Sequence, residues 1–171
     1  STQPGEPERV YGVDVSGSAD AGENIRIAEG VVEDDGLHVV DCQSACDRFG
    51  VVADRADALA ALTAFLSDLS SDTVVGLDFP FGLPRELVTI SDWQGFLSHF
   101  PDWFTTPEEL RRRCTMHAEL VTDGESKQLL RRTEEPLGAL SAYDVRLQNQ
   151  TFYGVRDVLR PLVTTGTATV Q

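Results

Sequence analysis

Two apolar runs in this chain each end in a single aspartate, and together they constrain the fold more than any other feature. The first is Val10-Tyr11-Gly12-Val13-Asp14-Val15, continued by Ser16-Gly17-Ser18. The second is Thr73-Val74-Val75-Gly76-Leu77-Asp78, continued by Phe79-Pro80-Phe81-Gly82-Leu83-Pro84. Both are rich in β-branched and aromatic residues and read as strands. An acid within or at the end of a buried strand costs several kcal/mol unless it is paired, neutralised or metal-bound. Two such acids predict one site assembled on a sheet.

The stretches between these runs set the strand order. Residues 10–16 form the expected first strand, 16–24 a loop of small and polar residues, and 25–32 a second strand. Asp34-Asp35-Gly36 is a hairpin turn signal, and residues 37–42 return as a third strand. Asp54 caps the next helix, whose Leu59, Leu62, Phe65, Leu66 and Leu69 fall on one face. Residues 73–78 then form a fourth strand. It is apolar on both faces, as a central parallel strand is, and it is reached by a crossover. The order β-β-β-α-β predicts an α/β fold with a mixed sheet: an antiparallel three-strand meander plus one parallel strand. In that order the fourth strand lies beside the first, with Asp14 and Asp78 as neighbours near the carboxyl ends of their strands, where open α/β sheets place sites.

Helices dominate the rest. Residues 92–99 predict a short helix. Thr106-Pro107-Glu108-Glu109 is a helix start, with Thr as N-cap, Pro at N1 and Glu at N3, and that helix is expected to run to about Val121. Residues 131–138 read as irregular and charged. Ser141 is the expected cap of a last long helix with Val145, Phe152, Val155 and Leu159 on its apolar face. The segment 164–171 is a Gly/Thr-rich tail containing the start of a possible strand. The aromatics Trp93, Phe96, Phe100, Trp103 and Phe104 are expected in the core or at an interface.

A length of 171 residues fits one domain, expected over 10–171, after a disordered lead-in at 1–9. The lead-in has neither a basic nor an apolar region, so it does not read as a secretory signal. No stretch approaches the ~20 apolar residues of a membrane span, which points to the cytoplasm and away from membranes. The net charge is -14, and Lys127 is the only lysine. Acids spread through ordinary elements, with so little lysine, predict adaptation to high salt, which screens self-repulsion. The same charge disfavours phosphate-backbone binding at low salt. It leaves open nucleic acid as a partner at high salt, and equally a protein partner or a homo-oligomer. Cys42, Cys46 and Cys114 make no disulfide framework and read as small, partly buried thiols. His38, His99 and His117 show no zinc spacing among themselves or with the cysteines.

Two carboxylates on adjacent strands suit a hard divalent cation, Mg²⁺ or Mn²⁺, held by Asp14 and Asp78. Two-metal phosphodiester hydrolysis also needs a third or fourth acid. Glu134, from Arg131-Arg132-Thr133-Glu134-Glu135, is the candidate, with Glu135 its rival. Arg131 or Arg132 could take a phosphate bidentately. The bland alternative for that segment is a solvated charge run. The Ser16-Gly17-Ser18 turn offers hydroxyls and N–H groups, so Ser16 and Ser18 are candidate phosphate contacts.

The two aspartate segments, with Arg132-Thr133-Glu134, resemble the hallmark segments of the DUF429 family over about Val10 to Leu162. That family is described as predicted nucleases of the RNase H-like fold. The resemblance implies an RNase H-like domain and a metal-dependent nuclease or phosphodiesterase; the acidic, lysine-poor composition suggests a haloarchaeal member. It matches Asp14 and Asp78 to the first- and fourth-strand acids, and Glu134 more loosely. RNase H-like domains continue into a fifth strand and a further helix. The sequence ends about where that strand would begin, so the fold is expected to be C-terminally incomplete. Two other functions stay open: a non-catalytic binding module on the same scaffold, and a phosphotransferase or ATPase of the actin-like superfamily, which shares the β-β-β-α-β core.

Overall fold

The computed structural model describes residues 9–171; the expected lead-in lies outside the described residues except for Arg9, which opens the first strand. Within the stretch read as one domain, the chain gathers into two compact units that divide between Phe79 and Pro80.

The first unit is a mixed four-stranded sheet of order β3-β2-β1-β4 with helices. Strand β1 (Arg9–Asp14) leads through the short helix α1 (Ala21–Asn24) to β2 (Arg26–Glu33) and β3 (Gly36–Ser44). Helices α2 (Ala45–Phe49) and α3 (Arg55–Ser67) follow, and then β4 (Val74–Asp78). The β1–β2 and β2–β3 pairs are antiparallel, and β1–β4 is parallel. The meander-plus-parallel-strand arrangement read from the sequence is thus present. The hairpin closes through Asp34-Asp35, and Gly36 takes φ 138°, which only glycine adopts freely. Asp54 caps α3 as expected, accepting from the Ala56 and Asp57 N–H groups. Helix α2 was not expected; Ser44 starts it by accepting from the Asp47 N–H at 3.1 Å.

Pleat alternation sorts β1 cleanly. Tyr11 and Val13 are buried, as are Ile25 and Ile27 around the start of β2 and Leu59 and Leu62 of α3. Phe65 of α3 sits edge-on to Tyr11, with ring centroids 5.2 Å apart. Arg48 lies over the Phe65 ring at 4.9 Å and holds Glu29 at 3.0 Å and Asp41 at 3.3 Å. The largely buried Arg48 and Glu29 are therefore paired. One correction concerns β4. It borders the described sheet instead of lying at its centre, and Val74 is exposed. An apolar run shows that a strand forms, not which neighbours cover it.

The second unit is helical. A 3₁₀ turn (Arg85–Leu87) precedes α4 (Trp93–Trp103) and α5 (Pro107–Val121). The Thr106 cap is as read, accepting from the Glu109 N–H at 3.1 Å, while Glu109 reaches back to the N–H of Thr105 at 2.9 Å. Phe96, Phe100 and Phe104 are buried core residues, and Trp103 packs against Phe96 and Phe104. The last helix departs from expectation. It starts not after Ser141 but at α6 (Gln148–Tyr153), then runs through a π turn (Gly154–Leu159) into α7 (Arg160–Thr164). Ser141 spends its hydroxyl on the Gln128 side chain. Asp144 closes a local turn by accepting from the Arg146 N–H, which leaves Val145 exposed. Phe152, Val155 and Leu159 are buried as expected. No strand forms in residues 165–171.

A candidate active site on the open face of the sheet

Asp14 is the last residue of β1 and Asp78 the last of β4, and their Cα atoms are direct partners in the parallel pair. Neighbouring strands are ~4.8 Å apart, and register partners project from the same face. That face is opposite to the one carrying Tyr11 and Val13. Both aspartates are exposed, which corrects the expectation of buried acids: the carboxylates are hydrated, and no desolvation cost demands a partner. A different cost replaces it, since like charges directly opposite one another on a sheet destabilise it.

The rung below repeats the pattern. Gly12 pairs with Gly76, so Gly12-Val13-Asp14 and Gly76-Leu77-Asp78 are the same Gly-x-Asp segment in register on two strands. Glycine weakens a strand interior, and packing does not demand it at either position. A Cβ on Gly12 would meet nothing within 4 Å, and one on Gly76 would meet only the Tyr11 carbonyl oxygen at 3.9 Å. The result is a bare backbone floor beside two carboxylates, in an open recess of about 470 Å³ that also takes in Arg26 and Ala28.

Arg26 is the residue sequence reasoning missed. It is the antiparallel partner of Asp14, so a row Asp78, Asp14, Arg26 crosses three strands on one exposed face. The Asp34-Asp35 turn does not show it: that turn sets β2 against β3, where residue 26 meets Ser44, and no local signal sets the register of β1 against β2.

The other candidates are held locally. Ser16 and Ser18 share a hydroxyl–hydroxyl bond of 2.9 Å, and Asn24 donates to the Ser18 hydroxyl at 3.2 Å. The Asp20 carboxyl is held below its ordinary value, chiefly by the Ser18 hydroxyl. Arg55 fastens the same loop through the Gly17 carbonyl at 2.9 Å. Those serines serve the loop's own structure. In the second unit Glu134 is buried. Arg131 clamps it, donating from Nε at 2.8 Å and from its backbone N–H at 2.6 Å. The segment is thus not simply a solvated charge run, although Arg132 and Glu135 are exposed. Among the described residues of the first unit, no third ligating residue joins Asp14 and Asp78.

Comparison of the chain with family models, with curated proteins and with solved structures gave no match. Among the described residues no helix is long and apolar enough to cross a membrane.

Proposed function

We propose that the chain is a divalent-cation-dependent phosphodiesterase, a nuclease of RNase H-like fold acting in the cytoplasm on nucleic acid at high salt. One observation carries the reading: the in-register Asp14–Asp78 pair on an exposed face. An all-oxygen donor set of two neighbouring carboxylates fits Mg²⁺ or Mn²⁺, which keep several waters and take one or two protein carboxylates. Bound there, such an ion supplies Lewis-acid activation of water and neutralises phosphate charge. The chain's own residues do the rest. Asp14 and Asp78 hold the cation, and Arg26 offers a guanidinium fork to a non-bridging phosphate oxygen. The Gly12–Gly76 floor lets a sugar-phosphate chain lie against the sheet without meeting side chains.

The test is a Mn²⁺ titration by calorimetry in multimolar KCl, followed by a phosphodiester cleavage assay, on the wild type and Asp14→Asn. Binding and cleavage both lost in the variant support the proposal. No binding, or binding indifferent to Asp14, overturns it. A second reading, a non-catalytic module for a protein partner or a second copy, draws support from two observations. The aspartate pair has no third ligating residue among the described residues of its own unit, and Glu134 is committed to Arg131. Binding without cleavage would favour that reading.

A further inference from the structure

We propose a second cation site at the tip of the β2–β3 hairpin, formed by Glu33, Asp35 and His38 and suited to a borderline transition metal such as zinc. The hairpin register assembles it. Val31 pairs with His38 and Glu33 with Gly36. Residues two apart on a strand share a face, as do antiparallel partners, so Glu33 and His38 project from the same side. Asp35 reaches the same imidazole from the turn. His38 Nε2 lies 2.8 Å from Asp35 Oδ1 and 3.9 Å from Glu33 Oε2. One ligand atom from each of the three residues lies within 4.8 Å of the other two.

Metal bonds of ~2.1 Å span donor pairs up to ~4.2 Å apart. Both separations measured from Nε2 already fall inside that reach. An ordinary ion pair accounts for only part of the cluster. One imidazole nitrogen carries at most one proton and can give it to one carboxylate, Asp35; an exposed second acid at 3.9 Å gains little from that arrangement. A divalent ion uses all three groups at once. The nitrogen donor selects zinc, cobalt or nickel over magnesium, which prefers oxygen alone. Three protein ligands leave coordination positions open to water. The absence of zinc spacing in the sequence concerns the histidines only among themselves and with the cysteines. The missing partners are carboxylates five and three residues upstream, which only the hairpin brings round.

This site is independent of the aspartate pair. Arg26 and Glu33 are the two ends of β2, seven residues apart, which at ~3.3 Å per residue is about 23 Å. Glu33 also lies on the opposite face from Arg26.

The experiment is a calorimetric Zn²⁺ titration of the full chain as wild type, His38→Ala, Glu33→Gln and Asp14→Asn, with Ni²⁺-induced broadening of histidine ring signals by NMR. His99, with its single acid Asp102 at 3.5 Å, is the internal comparison. The expected result is a Zn²⁺ site weakened about tenfold or more by His38→Ala and by Glu33→Gln and still present in Asp14→Asn, with the His38 signal broadened first. Failure to bind, affinity unchanged in His38→Ala, or equal broadening of all three histidines would overturn the proposal and leave the aspartate site untouched.

Discussion

Replacing Asp78 by Asn should stabilise the metal-free protein and destabilise it relative to wild type once Mn²⁺ is added. Asp14 and Asp78 are Cα partners on adjacent parallel strands, so their carboxylates project side by side, about 5 Å apart. Both are exposed, and water-like screening applies. Two unit charges at that separation repel by about 0.8 kcal/mol at a dielectric near 80. At 0.01 M salt the Debye length is ~30 Å and the repulsion is nearly whole; at 1 M it is ~3 Å and only about 0.2 kcal/mol remains. Asn keeps the shape of the side chain and one acceptor oxygen. A ligand at a hundred times its Kd stabilises the folded state by ~2.7 kcal/mol, and the variant forgoes that gain. The order therefore inverts. Without metal at low salt, Asp78→Asn leads by about 0.8 kcal/mol; with saturating Mn²⁺ the wild type leads by about 2 kcal/mol. Urea titrations at two salt concentrations, with and without Mn²⁺, read the four values. Glu125→Gln, an exposed acid in the other unit, controls for loss of one of the net 14 negative charges. A metal-free variant less stable than wild type, or a wild type that gains nothing from Mn²⁺, would refute the reasoning.

Three further outcomes are expected. Burial pushes the Cys114 thiol up to about 12, so about 10⁻⁴ of it is thiolate at pH 8; a disulfide reagent should label exposed Cys42 quickly and Cys114 only on unfolding, and equal rates would contradict the burial. Tyr143 is fully buried, accepting from the Leu129 N–H at 2.6 Å and donating to the Lys127 carbonyl at 3.3 Å; Tyr143→Phe should cost about 1–3 kcal/mol, seen as a lower urea midpoint with an unchanged slope. The Asp144 carboxyl is held below its ordinary value by the Arg146 side chain and then by the Arg146 N–H. Its stabilisation is complete above the unfolded carboxylate pKa and lost as pH falls through the lowered folded value, so Asp144→Asn should flatten the acid limb of a stability–pH curve measured at low salt.

Strands and capped helices were legible because their signals are local. The Thr106-Pro107 start and the Asp54 cap are read from neighbouring residues, and the four strands from apolar runs bounded by turn residues. What failed depended on tertiary context. Helices α1 and α2 have four and five residues, too few to show a helical period. The start after Ser141 failed because that hydroxyl bonds Gln128, thirteen residues away. The pairing of Asp14 with Asp78 followed from strand order, but their exposure did not, because β4 reads apolar on both faces up to its aspartate while bordering the described sheet. The Glu33–Asp35–His38 cluster was legible in principle, through the β2–β3 hairpin register, and was missed because motif spacing along the chain was read without folding the hairpin; the place of Arg26 beside Asp14 was not, because nothing local sets β1 against β2.

The correction from buried to exposed acids changes the argument for a site without removing it. Buried acids would have demanded partners whether or not the protein had a function; exposed acids demand none. What remains are two unfavourable choices on consecutive rungs of the same strand pair. Two glycines occupy strand interiors where a side chain would fit, at about 0.5–1 kcal/mol each, and two like charges stand opposite one another above them. On the other face the same strands carry buried Tyr11 and Val13 and half-buried Val75 and Leu77, as a sheet built for stability would. Local rules obeyed on one face and broken twice in register on the other locate the cost on the surface where a ligand can reach it. Helix α3 covers the obedient face; Gly12, Gly76 and the two aspartates are left open to whatever the chain binds.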